Sequence, residues 1–70
     1  MSEEVNFLRK LRLDRMLSTK ELSDLSGVSS VEITHIEKDH YKPGPVVIQK
    51  LATALSFNYE ELYKKLREEE

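Results

Sequence analysis

Residues 29–38 read SSVEITHIEK, and one side of that stretch carries only groups suited to weak, directional contacts. Wound as a helix, it brings Ser30, Val31, Thr34 and His35 together, because positions three and four apart are neighbours on a helix surface. Ile33 and Ile36 then turn to the opposite side. Serine and threonine hydroxyls can read base edges in a major groove, and a valine methyl can meet the methyl of thymine. His35 suits a base, a phosphate or simply solvent. The plainer alternative for the whole face is a solvated helix surface. Glu32 has two uses: its carboxylate can accept from cytosine N4, or it can close a capping box with Ser29 three residues back. Capping is the preferred reading, because a carboxylate repels neighbouring phosphates.

Thr19, Lys20, Ser29, Lys38 and Lys42, together with Lys50, are the phosphate-contact candidates. Thr19 stands at a helix N-terminus, where backbone N–H groups favour an anion. Lys38 and Lys42 flank the end of the 29–38 helix and the loop after it. Any one lysine serves equally well as solvated surface. Bond-making chemistry finds no support: there is no Ser–His–Asp arrangement or carboxylate pair, and His35 and His40 do not have metal-ligand spacing. So small a chain has little room for a substrate pocket. An enzyme is not expected, nor a metal or cofactor.

The elements that position these groups are legible around them. Ser18 with Glu21 forms one capping box and Ser29 with Glu32 a second, so two short helices begin there. Between them Gly27 supplies a left-handed helix end, and Val28 is a buried turn residue. Leu22, Leu25, Ile33 and Ile36 form the shared apolar edge. Two helices joined this closely must cross steeply, which makes residues 18–38 a helix-turn-helix unit with its second helix placed to enter a groove.

Before this unit, a helix over about residues 3–16 places Val5, Leu8, Leu11 and Arg12 on one face. Arg9, Lys10 and Arg15 read as solvated. Arg12, on the apolar face, needs a carboxylate partner, and Glu37 is the best placed. After the unit, DHYKPGP at residues 39–45 is a loop by composition. Pro45 suits the first turn of a fourth helix, lined by Ile48, Leu51, Ala52 and Leu55. Ser56 and Phe57 make a turn. Asn58 with Glu61 caps a fifth helix anchored by Leu62, and the tail from Arg67 frays. Tyr41, Tyr59, Tyr63 and Leu66 read either as a self-association patch or as lids over the core. The expected architecture is all-α: a compact five-helix bundle, one domain over residues 1–70.

Composition bounds the function. Seventy residues with no cysteine exclude a disulfide framework or thiolate metal site, which suits a reducing, cytoplasmic setting. No apolar run approaches the ~20 residues of a membrane span. The N-terminus MSEEVNF is acidic and lacks the pattern of a secretory signal, and Met1 reads as the start of a complete small polypeptide. The net charge is −2. Five acidic residues sit at the termini, however, and residues 5–67 hold eleven basic against eight acidic residues, a balance of +3.

Together LRKLR (8–12), LSTKELSDLSGVS (17–29), I-x-x-IEK (33–38), Pro43, KLATAL (50–55) and EEL (60–62) resemble the Cro/C1-type (XRE) helix-turn-helix family of bacterial and phage regulators. The resemblance runs from about Leu8 to Leu62. It implies a DNA-binding transcriptional regulator, read here as a repressor, acting as a homodimer on a partly palindromic double-stranded operator in the cytoplasm, at the nucleoid. It also implies the pairing of Arg12 with Glu37. The sequence departs from the family pattern at Thr19, where Gln is frequent, at Ser23, where Ala is usual, and at Asp39, where Gly is frequent. The third helix also lacks the family's frequent Gln, Arg, Asn or Lys readers. A second reading therefore keeps the fold but gives the surface to a protein partner, as in an antirepressor or a partner of a larger regulator, with weak or no DNA binding.

Overall fold

The computed structural model describes residues 6–40 and 42–68. Five helices run through them: α1 (Phe7–Asp14), α2 (Thr19–Ser26), α3 (Ser30–Glu37), α4 (Pro45–Leu55) and α5 (Tyr59–Tyr63), the last continued by a π-helical segment, Lys64–Glu68. No strand occurs among the described residues. The all-helical, five-helix expectation is therefore met.

Each helix start has a local chemical cause. At α2 the full reciprocal box forms: the Glu21 N–H donates to Ser18 Oγ at 3.0 Å and the Ser18 N–H to Glu21 Oε1 at 2.8 Å. Ser29 caps α3 by accepting from the Glu32 N–H at 3.1 Å, and Asn58 caps α5 by accepting from the Glu61 N–H at 2.8 Å. Pro45 occupies the first turn of α4, where its missing N–H leaves no bond unmade. The helix expected over residues 3–16 is shorter at its described end, stopping at Asp14, and has Asn6 as its N-cap. Val5 and the rest of residues 1–5 lie outside the described residues, as does Tyr41.

Four chain reversals follow helices through left-handed residues, and only Gly27 is a glycine. Met16 (φ 57°), Asp39 (φ 60°) and Ser56 (φ 54°) take the same conformation after α1, α3 and α4. In each case the following N–H reaches back five residues: Leu17 to the Arg12 carbonyl (3.1 Å), His40 to His35 (2.9 Å) and Phe57 to Ala52 (2.9 Å). These are the bonds of a Schellman end, which satisfies carbonyls the helix leaves open. The left-handed conformation costs an L-residue about 1–2 kcal/mol that glycine avoids. Met16→Gly and Ser56→Gly should each stabilise the fold by about 0.5–1 kcal/mol, after allowing for the extra freedom of glycine in the unfolded chain. Urea midpoints measure this, and a loss of stability at both positions would contradict it.

The core is built from Leu8, Leu11, Leu22, Val28, Ile33, Ile36, Ile48, Leu51, Ala52, Leu55, Leu62 and Leu66. Phe7 and Phe57 close one side edge-to-face, with ring centroids 5.6 Å apart. Three expectations are corrected here. Leu25 is 61% exposed and does not secure the fold; the inward position one turn after Leu22 is taken by Ser26, whose hydroxyl accepts from the Val28 N–H at 3.1 Å. Arg15 is exposed but not merely solvated, because its Nε donates to the Leu55 carbonyl at the end of α4 at 2.8 Å. Arg67 does not fray: it donates to the Pro43 carbonyl at 2.8 Å and lies over the Tyr63 ring. Leu66 proves to be core. Tyr59 and Tyr63 are half-buried against the core, their ring centroids 5.9 Å apart.

Candidate nucleic-acid interface

Alpha 3 buries Ile33 and Ile36 and leaves the opposite side open. Ser29 is its cap, so the helix itself starts at Ser30, and Lys38 is its C-cap rather than its last residue. Ser30, Val31 and His35 are exposed, and Thr34 is half-buried. The four expected base readers thus share one accessible face, and Lys38 extends it one turn beyond Thr34. The Thr34 hydroxyl donates to the Ser30 carbonyl at 2.9 Å. Its only donor is therefore directed at the helix and not outward.

The phosphate-contact candidates are more dispersed. Thr19 opens α2 and is half-buried. Lys20 is exposed and reaches Asp24 at 3.3 Å, an i,i+4 pair of the kind worth little in water. Ser29 is exposed with its hydroxyl oxygen accepting the capping bond. Lys38 and Lys42 are exposed on either side of the loop after α3, and the Lys42 ammonium lies 3.4 Å from the Arg67 carbonyl. Lys50 is exposed on α4, a helix packed mainly on α2 and α5.

The orientation of α3 is fixed from α1 by two sets of bonds at its C-terminal end. Arg12 meets Glu37 in a two-pronged contact, Nε to Oε2 at 2.8 Å and Nη2 to Oε1 at 3.0 Å, and its remaining nitrogen donates to the Leu17 carbonyl at 2.8 Å. Both side chains are about nine-tenths buried. Hydrogen bonding to Glu37, opposed in part by desolvation, raises the Arg12 pKa above its ordinary value. The Arg12 charge is thus fully present below the ordinary arginine range and lost only above it, beyond any working pH. The second set belongs to Asn6. Its Oδ1 accepts from the N–H groups of Leu8 (2.7 Å) and Arg9 (3.3 Å), while its Nδ2 donates to the Ile36 carbonyl (3.2 Å) and to Asp39 Oδ1 (3.0 Å). Asn6 is not among the residues that the sequence singles out. The available signal was an Asn directly before the apolar periodicity of α1; its partners across the fold carry no sequence signal. Asp39, standing where the family often has glycine, takes the left-handed conformation and supplies the acceptor for Asn6.

His40 was also missed as a neighbour of the face: its ring lies 5.8 Å from that of His35. Among the described residues, no group of three or more His, Cys, Asp or Glu is arranged to hold a metal. None of the described helices is long and apolar enough to cross a membrane. No buried side-chain nitrogen or oxygen among the described residues lacks a partner.

Comparison with known proteins agrees with this geometry. Residues 8–62 match the helix-turn-helix family model. The chain is 44% identical over 59 residues to the HTH-type transcriptional repressor RghR of Bacillus subtilis strain 168, covering 83% of this chain and 44% of that protein. It is 43% identical over 56 residues to the uncharacterized HTH-type transcriptional regulator RghRB of the same strain, covering 79% of this chain and 40% of that one. The chain thus spans less than half the length of either curated relative. No solved structure gives a significant match. The match over residues 8–62, the five-helix arrangement and the Arg12–Glu37 pair lead to one assignment: the chain belongs to the Cro/C1-type (XRE) helix-turn-helix family.

Proposed function

We propose that this protein is a sequence-specific, DNA-binding transcriptional regulator, a repressor, that places α3 in the major groove of a double-stranded operator. The observation that carries this reading is the open face of α3: Ser30, Val31 and His35 are exposed, with the half-buried Thr34 among them, and the face leads to Lys38; no carboxylate occupies these five positions. Ser30, Val31, Thr34 and His35 then contact bases, while Thr19, Lys20, Ser29, Lys38 and Lys42 contact phosphate. Phosphate contacts set affinity and register, and base contacts set the sequence read. Residues 1–70 act as a single helix-turn-helix domain, without cofactor and without an enzymatic step, in the cytoplasm at the nucleoid. Both curated relatives are named as HTH-type transcriptional regulators, which supports this reading over a pure protein-binding module.

Two copies form a homodimer at least on DNA. A single eight-residue recognition helix covers few base pairs, whereas a two-fold pair reads half-sites about 34–36 Å apart. The molecular extents, 31 × 23 × 20 Å, let two copies stand side by side at that spacing.

Gel shift or polarisation on genomic fragments at two salt concentrations tests the proposal. One fragment should be selected, with an affinity that falls as salt rises. Ser30→Ala/Thr34→Ala should lose part of the discrimination between that fragment and others. Lys38→Ala/Lys42→Ala should bind all sequences more weakly and lower the salt slope by about 2, roughly one per phosphate contact. The absence of a selected fragment at low salt overturns it.

A further inference from the structure

Resting on the reading that α3 enters the major groove, we propose that its sequence preference is set by methyl contacts: Val31, with the γ-methyl of Thr34 beside it, reads the C5-methyl groups of thymine in each half-site. Val31 is a large apolar side chain with 63% of its surface open, on the helix whose other apolar residues, Ile33 and Ile36, are buried. Nothing in the fold requires it there. Thr34 follows at i+3 on the same face, and its hydroxyl proton is already donated to the Ser30 carbonyl at 2.9 Å. A donor engaged this way cannot also satisfy a base acceptor, so Thr34 offers a methyl and an oxygen lone pair. Within the groove a methyl has one apolar counterpart among the base edges, the thymine C5-methyl. Ser30, at the start of the helix, and His35, one turn after Val31, remain for polar edges on either side of the apolar pair.

The test uses the fragment selected by the full chain. Each thymine is replaced in turn by deoxyuridine, which keeps the base pair and removes only the methyl. The wild-type protein should bind about three- to fivefold more weakly for one or two positions per half-site, the scale of one buried methyl, and within twofold elsewhere. Val31→Ala should bind the thymine and deoxyuridine duplexes alike at one of those positions. Val31→Thr, which keeps one methyl and nearly the same shape, should retain part of the preference. Circular dichroism checks that the variants fold, which the exposure of residue 31 favours. Selection of a fragment with no deoxyuridine effect overturns the methyl readout and leaves the DNA-binding reading standing. A deoxyuridine effect that persists unchanged at every sensitive position in Val31→Ala also overturns it, since Val31 would then read none of those methyls. Failure to select any fragment overturns the DNA-binding reading and the inference together.

Discussion

Arg12→Leu should cost about 3–5 kcal/mol of folding stability, because it leaves the Glu37 carboxylate without its partner in a nearly closed site. The Leu17 carbonyl loses its donor in the same step. A chain of 70 residues has a total stability of roughly 4–10 kcal/mol, so this single change should remove a large share of it. Arg12→Leu/Glu37→Leu should recover much of the loss, since two apolar side chains of suitable volume need no desolvated charge. Urea unfolding followed by circular dichroism measures both. A loss below about 1 kcal/mol in the single variant would show that Glu37 does not depend on Arg12.

Asn6→Ala is expected to have the second-largest effect, about 2–3 kcal/mol. The cap of α1 accounts for about 0.5–2 kcal/mol, and the bonds to the Ile36 carbonyl and Asp39 carboxylate for about 0.5–1.5 kcal/mol each, with partial recovery by water. Asn6→Asp separates the two roles. It keeps an oxygen to cap Leu8 and Arg9 but sets a second oxygen against a carbonyl and a carboxylate, so it should still lose about 1–2 kcal/mol. An Asn6→Asp variant as stable as wild type would mean that Asn6 only caps α1 and does not hold the end of α3.

The contrast between these two residues shows how much the sequence makes visible. Arg12 announces itself because a guanidinium on an apolar helix face demands a carboxylate, and Glu37 is the best placed to supply it. Asn6 is visible only as a cap, since its cross-fold partners, a carbonyl and Asp39, depend on where α3 ends in space. The helix ends divide similarly. Gly27 is read at once, whereas Met16, Asp39 and Ser56 reach the same conformation through backbone bonds that residue type does not disclose. Leu25 misled because an apolar residue three positions after Leu22 fits the helical period; α2 ends at Ser26, and it is Ser26 that turns inward. The open side of α3 was legible from Ile33 and Ile36 alone, which define the opposite face. The engagement of the Thr34 hydroxyl by its own helix was not, and it changes what that face presents.

The central claim is that α3 is the DNA-reading surface. Its most direct measurement is an amide chemical-shift titration of the labelled protein with the selected duplex. The largest perturbations should fall at Ser30, Val31, Thr34 and His35, with Thr19 and Lys38 next and the side of α5 bearing Tyr59 and Tyr63 shifted least apart from any dimer contact. Perturbations confined to α5 and the start of α4, with the amides of residues 29–38 unmoved at saturating duplex, would contradict the claim.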